Sequence, residues 1–353
     1  MKKTDNQNIP SIIHDWYIAN ARDLPWRNSS DPYAIWVSEM MLQQTRVETV
    51  ITYFHRFMKR LPTIFDLATI DDEELYKLWQ GLGYYGRAKN LKKAARMVVE
   101  QYEGVLPNTA VELMNLPGIG PYTAGAIASI AYNKQIPAVD GNVMRVISRI
   151  YGSKLDITTQ KAKKEMTKRI EALLPVSNIS IFNQALMELG ATICVPLGKP
   201  KCECCPVSAY CIAYHNNETA SIPVKSKKKE RFIQPIAVLL VKLNHGWLLH
   251  KRPREGLLAD LWEFPNLTGT PSTQEILHHL TTHHIQGYHI ELVAKAKHIF
   301  SHMEWHMNIY LVEGELTGEL EETDTIATQI QIEDQYALPT AFSHCIRIIS
   351  SHS

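Results

Sequence analysis

Cys194, Cys202, Cys205 and Cys211 follow one another as C-x7-C-x2-C-x5-C, in a stretch that also carries Lys199, Lys201, Pro196, Pro200 and Pro206. A segment this short buries no core of its own, so thiols at this density point to a cross-linking centre. Four thiolates can hold a metal. The unequal spacing and the Cys205-Pro206 step suit a cubane iron–sulfur cluster better than zinc, which usually takes paired C-x2-C knuckles. Cys204 is a second candidate ligand beside Cys205, whereas Cys345 lies far away and reads as a buried thiol.

Two carboxyls invite acid–base chemistry. Glu39 interrupts a helix face shared with Trp36, Met40, Leu42 and Val47, where desolvation favours the protonated acid. The competing reading is a glutamate at the edge of the core, paired with an arginine. Asp140 precedes Gly141 and the apolar repeat Val143, Val146, Ile147 and Ile150, which makes it a helix N-cap. In Leu116-Pro117-Gly118-Ile119-Gly120, two glycines let backbone amides converge on a phosphate where the next helix starts at Pro121.

These residues need a scaffold, and the first part of the chain reads as helices. Asp31-Pro32 is a start signal, and the apolar pattern runs on from there to about Phe57. Further helical stretches are predicted near 71–80, 87–102, 109–115, 121–132, 141–151, 158–173 and 178–190. The result is an all-α N-terminal domain over 1–215, closed by the cysteine loop. Residues 216–230 read as a polar, lysine-rich linker, either a phosphate-tracking arm or a plain tether.

From Arg231 the period changes. Strands are predicted at 232–243 and 246–250, joined by a turn at Asn244-His245-Gly246, and at 288–299 and 305–313. Helices are predicted near 272–283 and 340–350, giving an α+β domain over 231–353. Charge divides at the same place: 29 Lys and Arg face 22 Asp and Glu up to residue 230, and 8 face 14 afterwards. A near-neutral total therefore conceals a basic half fit for nucleic acid. Histidines crowd the second half, but the pairs His278-His279 and His283-His284 show no ligand pattern and read as surface residues. The opening Met1-Lys2-Lys3 runs into amphipathic sequence with no apolar signal region, and no apolar run reaches the roughly 20 residues of a membrane helix. A soluble, cytoplasmic, monomeric protein without membrane association is expected.

The hairpin glycines, the Val139-Asp140-Gly141-Asn142-Val143 segment and the cysteine loop together resemble the endonuclease III superfamily of helix-hairpin-helix base-excision enzymes. Leu24-Pro25-Trp26-Arg27, Ser38-Glu39-Met40-Met41-Leu42-Gln43-Gln44-Thr45, Gly81-Leu82-Gly83-Tyr84-Tyr85 and Phe300-Ser301-His302 resemble its adenine-removing branch. That resemblance implies a DNA N-glycosylase that excises adenine opposite 8-oxoguanine in double-stranded DNA, with a [4Fe-4S] cluster on Cys194, Cys202, Cys205 and Cys211. It implies Glu39 as general acid, Asp140 as stabiliser or trap of the sugar cation, Asn142 as holder of the water, and Tyr122 as a hydroxyl beside Asp140. Bifunctional relatives carry a lysine where Tyr122 stands, so a monofunctional enzyme is expected.

For DNA, the resemblance implies contacts from the hairpin at Leu116, Gly118 and Gly120 and from Lys199 and Lys201. Trp26 and Arg27 would line the base pocket, Gln44 would fill the vacated stack, and Tyr84 would wedge beside the lesion, with Tyr85 read as core. Phe300, Ser301 and His302 would read the oxidised guanine. The first cysteine gap is one residue longer than the family's usual six, an insertion left to the loop containing Gly198. The stretch from Gly256 to Pro265 resembles the Nudix-like C-terminal domain of that branch, but the acidic, magnesium-binding helix of Nudix hydrolases does not follow it, so hydrolysis is not expected there. Two other readings compete: an endonuclease III-like pyrimidine glycosylase with lyase activity, and a non-catalytic iron–sulfur DNA-binding protein.

Overall fold

A computed structural model describes residues 8–226, 230–244 and 246–351. Met1–Gln7, the linker lysines Lys227, Lys228 and Lys229, and the turn residue His245 lie outside the described residues. The chain forms two compact units. The first takes the segments before Ile70 and after Ala88 as far as the linker, and the second takes Ile70–Ala88 and the chain beyond the linker.

The first unit is helical: α1 (Ile9–Asn20), α2 (Pro32–Leu42), α3 (Val47–Arg60) and α4 (Ile64–Thr69) precede Ile70. Helix α5 (Asp72–Trp79) falls in the segment of the second unit, and α6 (Gly86–Tyr102) begins there. Helices α7 (Ala110–Leu113), α8 (Pro121–Ile130), α9 (Gly141–Ile150), α10 (Gln160–Glu171), α11 (Ile179–Thr192) and α12 (Ile212–His215) complete the first unit. Asp31 caps α2, accepting from the Tyr33 and Ala34 amides, and Pro32 presets the first turn. Every residue of α2 from Tyr33 to Met41 is buried. Each large apolar side chain among them stabilises the fold by about 1.5–3 kcal/mol.

The single helix expected from Asp31 to Phe57 is two. The chain leaves α2 at Gln43 with extended backbone, and Gln44 sits at φ 59° before α3 begins. At α8 the small residues have a packing purpose: a Cβ on Gly125 would lie 2.5 Å from the Pro137 carbonyl oxygen. Behind α9, a core of Val143, Val146, Ile147, Phe182, Leu186 and Leu189 fixes the helix start where Asp140 sits.

In the second unit the described strands are β1 (Phe232–Leu243), β2 (Gly246–Lys251), β3 (Trp262–Glu263), β4 (Asn266–Thr268), β5 (Ile285–Ile299), β6 (Met303–Leu316) and β7 (Asp324–Ala327). They form one mixed sheet ordered β3-β2-β1-β6-β5, with β4 on β1 and β7 on β2; β1 and β6 run parallel. Helices α13 (Thr273–Thr282), α14 (Gln329–Asp334) and α15 (Ser343–Ser350) complete it, and Cys345 is buried in its core. The short strands β3, β4 and β7 and helix α14 were not expected, because each is too brief to show a period. Ile70–Ala88 joins this unit through its own bonds: Glu73 accepts from Lys251 and, at 3.0 Å, from the Trp262 indole, and Lys77 donates to the Tyr336 carbonyl at 3.0 Å. Among the described residues no helix is long and apolar enough to cross a membrane.

The histidines correct a sequence expectation. His283 and His279 are half-buried rather than surface residues, and His283 and His250 both bond the buried Asp324. Strand pairing supplies this, placing His250 opposite Asp324 across β2 and β7.

Candidate active site

A cleft of about 670 Å³ opens in the helical unit, and Glu39, Tyr122, Asp140 and Asn142 all line it with Trp26, Arg27 and Gln44. Glu39 comes from the buried face of α2 and is 5 % exposed. Its partner is the Tyr122 phenol, from the first turn of α8, which donates to its carboxylate. Burial pushes the Glu39 carboxyl up to about 7, the Tyr122 hydrogen bond opposes the rise, and the nearby Asp140 charge adds to it. A carboxyl in that range is divided between its protonated and ionised forms near neutral pH.

Asp140 caps α9. Its Oδ1 accepts the Val143 amide at 2.7 Å and its Oδ2 accepts the Asn142 side-chain amide at 2.8 Å. Burial raises its pKa, and these donors work against that by favouring the ionised form. Asn142 is held in turn by Arg145, whose Nη2 donates to its Oδ1 at 2.9 Å and to the Gly190 carbonyl at 2.7 Å. Two carboxyls in unlike surroundings thus share one cleft, one suited to giving a proton and one bound by donors to its charge.

The cleft lining also contains a residue that the sequence did not single out. Glu188 on α11 is fully buried and accepts from Arg22 Nε at 2.7 Å and from Arg27 Nη2 at 2.6 Å. Burial alone would raise its carboxyl, but the two guanidiniums outweigh burial and hold it at about 2. This ion pair fixes Arg27, and Trp26 packs edge-on against Phe54 with centroids 5.5 Å apart. The signal was present: an acid within the apolar run Ala185, Leu186, Leu189 needs a cation.

The hairpin precedes α8. Leu116 is buried, Gly118 takes φ 77°, and Gly120 is the extended cap residue. Lys199 and Lys201 are exposed on the cysteine loop. Cys194, Cys202, Cys205 and Cys211 line one small cavity with the buried Arg149, and Cys204 is exposed and not part of its lining. Arg149 Nη1 lies 3.2 Å from Cys194 Sγ, a buried cation against what would be thiolate charge. Gly198, at φ 74°, turns the loop that carries the longer first gap. The donor set fits a metal group held by four thiolates, with Cys205 in the cavity lining and Cys204 outside it.

In the second unit, Tyr84 is half-exposed at φ 49° with Arg87 5.5 Å from its ring, and Tyr85 is buried. Phe300 packs edge-on between His298 and Trp305, and exposed Ser301 has its Oγ 3.4 Å from His302 Nδ1.

Residues 37–172 match the HhH-GPD superfamily of base excision DNA repair proteins, and residues 236–347 match the NUDIX domain. An adenine DNA glycosylase of Buchnera aphidicola from Acyrthosiphon pisum is 35 % identical over 85 % of this chain and 85 % of its own length. The chain belongs to the adenine DNA glycosylases. The Arabidopsis thaliana member is 36 % identical over 91 % of this chain, which spans 59 % of that protein's length, and the human member is 35 % identical over 84 % of this chain. Among solved structures, a thermostable thymine-DNA glycosylase aligns at a TM-score of 0.54 with 32 % identity, covering 59 % of this chain and 95 % of its own. An endonuclease III–DNA complex aligns at 0.53 with 23 % identity over 62 % of this chain and 98 % of its own, a likeness of fold. Membership of the adenine DNA glycosylases accounts for a helical repair domain followed by a Nudix-like one.

Proposed function

We propose that this protein hydrolyses the N-glycosidic bond of adenine opposite 8-oxoguanine in duplex DNA and leaves an abasic site. The observation that carries the reading is the buried Glu39, held near 7 beside a phenol in the cleft that donor-bound Asp140 also lines. Glu39 gives its proton to the imidazole-ring nitrogen of adenine, the bond from the sugar carbon to the base breaks, and the electron pair leaves with adenine. The Asp140 carboxylate faces the resulting oxocarbenium cation. Water, held by Asn142, adds to the sugar carbon and returns a proton to Glu39.

Several placements support the DNA side of this reading. The hairpin at Leu116, Gly118 and Gly120 and the exposed Lys199 and Lys201 suit phosphate contacts. Trp26 and Arg27 are rigid walls for a flipped base, and Gln44 and Tyr84, both at positive φ, suit filling and wedging roles. Ser301, exposed between Phe300 and His302, suits donation to the oxidised guanine. Cys194, Cys202, Cys205 and Cys211 would hold a [4Fe-4S] cluster, whose contribution when bound is to fix the loop bearing the two lysines.

Tyr122 offers no amine for a Schiff base, which favours a monofunctional glycosylase over a lyase. Single-turnover cleavage of a labelled adenine:8-oxoguanine duplex tests this. Strand breaks should appear only after hot alkali and be lost in Asp140→Asn. Breaks without alkali, trappable by borohydride, would overturn it. Ser301→Ala should cut the preference for 8-oxoguanine over guanine more than the excision rate itself; equal loss on both duplexes removes Ser301 from recognition.

A further inference from the structure

The Nudix-like unit carries a second constellation with ligand chemistry, remote in sequence from the cysteines and unused by base excision. His250 on β2, His283 at the C-cap of α13 and Asp324 at the start of β7 each present a donor atom, and these atoms lie within 4.8 Å of one another. The distances are close: His250 Nδ1 is 2.6 Å from Asp324 Oδ1, and His283 Nδ1 is 2.7 Å from Asp324 Oδ2. A fourth group stands next to them. His279 lies four residues before His283, and its ring centroid is 4.9 Å from that of His283 at an interplanar angle of 75°.

We propose that His250, His283 and Asp324, with His279 packed beside them, form a binding site for a zinc-class divalent cation. Four arguments converge. Two imidazoles and a carboxylate are the nitrogen–oxygen donor set of zinc sites that hold three protein ligands and leave the fourth position to water. The carboxylate is fully buried, while the imidazoles are half-buried, so a cation has an approach from solvent and a charged anchor beneath it. The scaffold is rigid: His250 and Asp324 are register partners in a paired sheet. The site also lies at the C-terminal end of α13, the negative end of its dipole, which favours a cation.

In the metal-free protein the two Nδ1–H groups satisfy the carboxylate. Binding through Nδ1 moves each neutral ring's proton to Nε2, and a protonated His283 first releases its extra proton to solvent.

Cobalt titration of the cluster-loaded full chain tests this, because cobalt bound by nitrogen and oxygen gives visible d–d bands without the sulfur-to-cobalt charge transfer of a thiolate site. One equivalent should bind with d–d bands alone and be displaced by one equivalent of zinc. His283→Gln and His250→Gln should each weaken binding at least about 100-fold and His279→Gln about 10-fold, whereas exposed His278→Gln should change nothing. Circular dichroism checks that the variants fold, and two independent ligand variants guard against one of them failing. Absence of binding at cobalt concentrations near 0.1 mM, a charge-transfer spectrum alone, or unchanged affinity in both the His250 and His283 variants would overturn the proposal.

Discussion

The Tyr122 phenol and the Glu39 carboxylate, 83 residues apart, meet inside the cleft, and their hydrogen bond is what moderates the effect of burial on Glu39. Without that donor the carboxyl would sit still higher. Tyr122 therefore sets the pH range over which the acid holds its proton while remaining able to release it.

The pH dependence follows. In the proposed reaction protonated Glu39 is the working form, so the single-turnover rate should fall as pH rises through about 7. Tyr122→Phe removes an interaction that favours the ionised form, so the falling limb should move to higher pH by roughly one to two units. Glu39→Gln, which has no proton to give, should lose roughly 10²–10⁴-fold in rate and the pH limb with it. A limb that stays in place in Tyr122→Phe means that the phenol does not tune this acid.

Glu188 should prove structural as well as local to the site. Glu188→Gln leaves Arg22 and Arg27 without their buried counter-charge, an effect on the order of 3–5 kcal/mol in unfolding free energy. Its folded pKa is depressed to about 2, so its stabilisation is complete above the unfolded carboxyl value near ~4.3 and is lost as pH falls toward 2. Urea unfolding at neutral pH and near pH 3 should show the wild type converging on the variant in acid. A constant gap between them would show that the ion pair is not the source.

The cysteine cavity takes in Cys211 and leaves Cys204 exposed outside it. Cys211→Ser removes a cavity-lining thiol and should abolish the visible cluster absorbance and most of the bound iron, while exposed Cys204→Ser should retain both. Equal loss in the two variants would place Cys204 among the ligands.

What the sequence made legible was local. Asp140 is recognisable as a cap from the glycine and apolar repeat after it, and it accepts the Val143 amide as a cap should. Glu39 stands out as an acid inside an apolar helix face, but its partner Tyr122 belongs to another helix, which no spacing reveals. The arginine-paired glutamate imagined for Glu39 exists at Glu188 instead. The break between α2 and α3 was illegible because Gln43-Gln44-Thr45-Arg46 contains no glycine or proline; a non-glycine residue takes the positive φ. His250 and Asp324 lie 74 residues apart and meet only through sheet register, so the histidine cluster had no linear signature.

The hairpin turn offers a test that combines strain with function. Gly118 holds φ 77°, and a Cβ there would lie 2.7 Å from Asn90 Cβ, an atom next to the backbone that cannot swing away. Gly118→Ala should therefore cost at least about 1–2 kcal/mol of stability, from left-handed strain and the clash together. Because the turn precedes α8, whose first turn carries Tyr122, the shift should also reach the cleft: duplex affinity should fall through misplaced hairpin amides and the excision rate through a displaced phenol. Asn90→Gly, made in the same chain, relieves the clash but not the strain and should recover part of the stability. A Gly118→Ala protein with wild-type unfolding and duplex affinity would mean that the turn tolerates a side chain, and that phosphate recognition does not depend on this conformation.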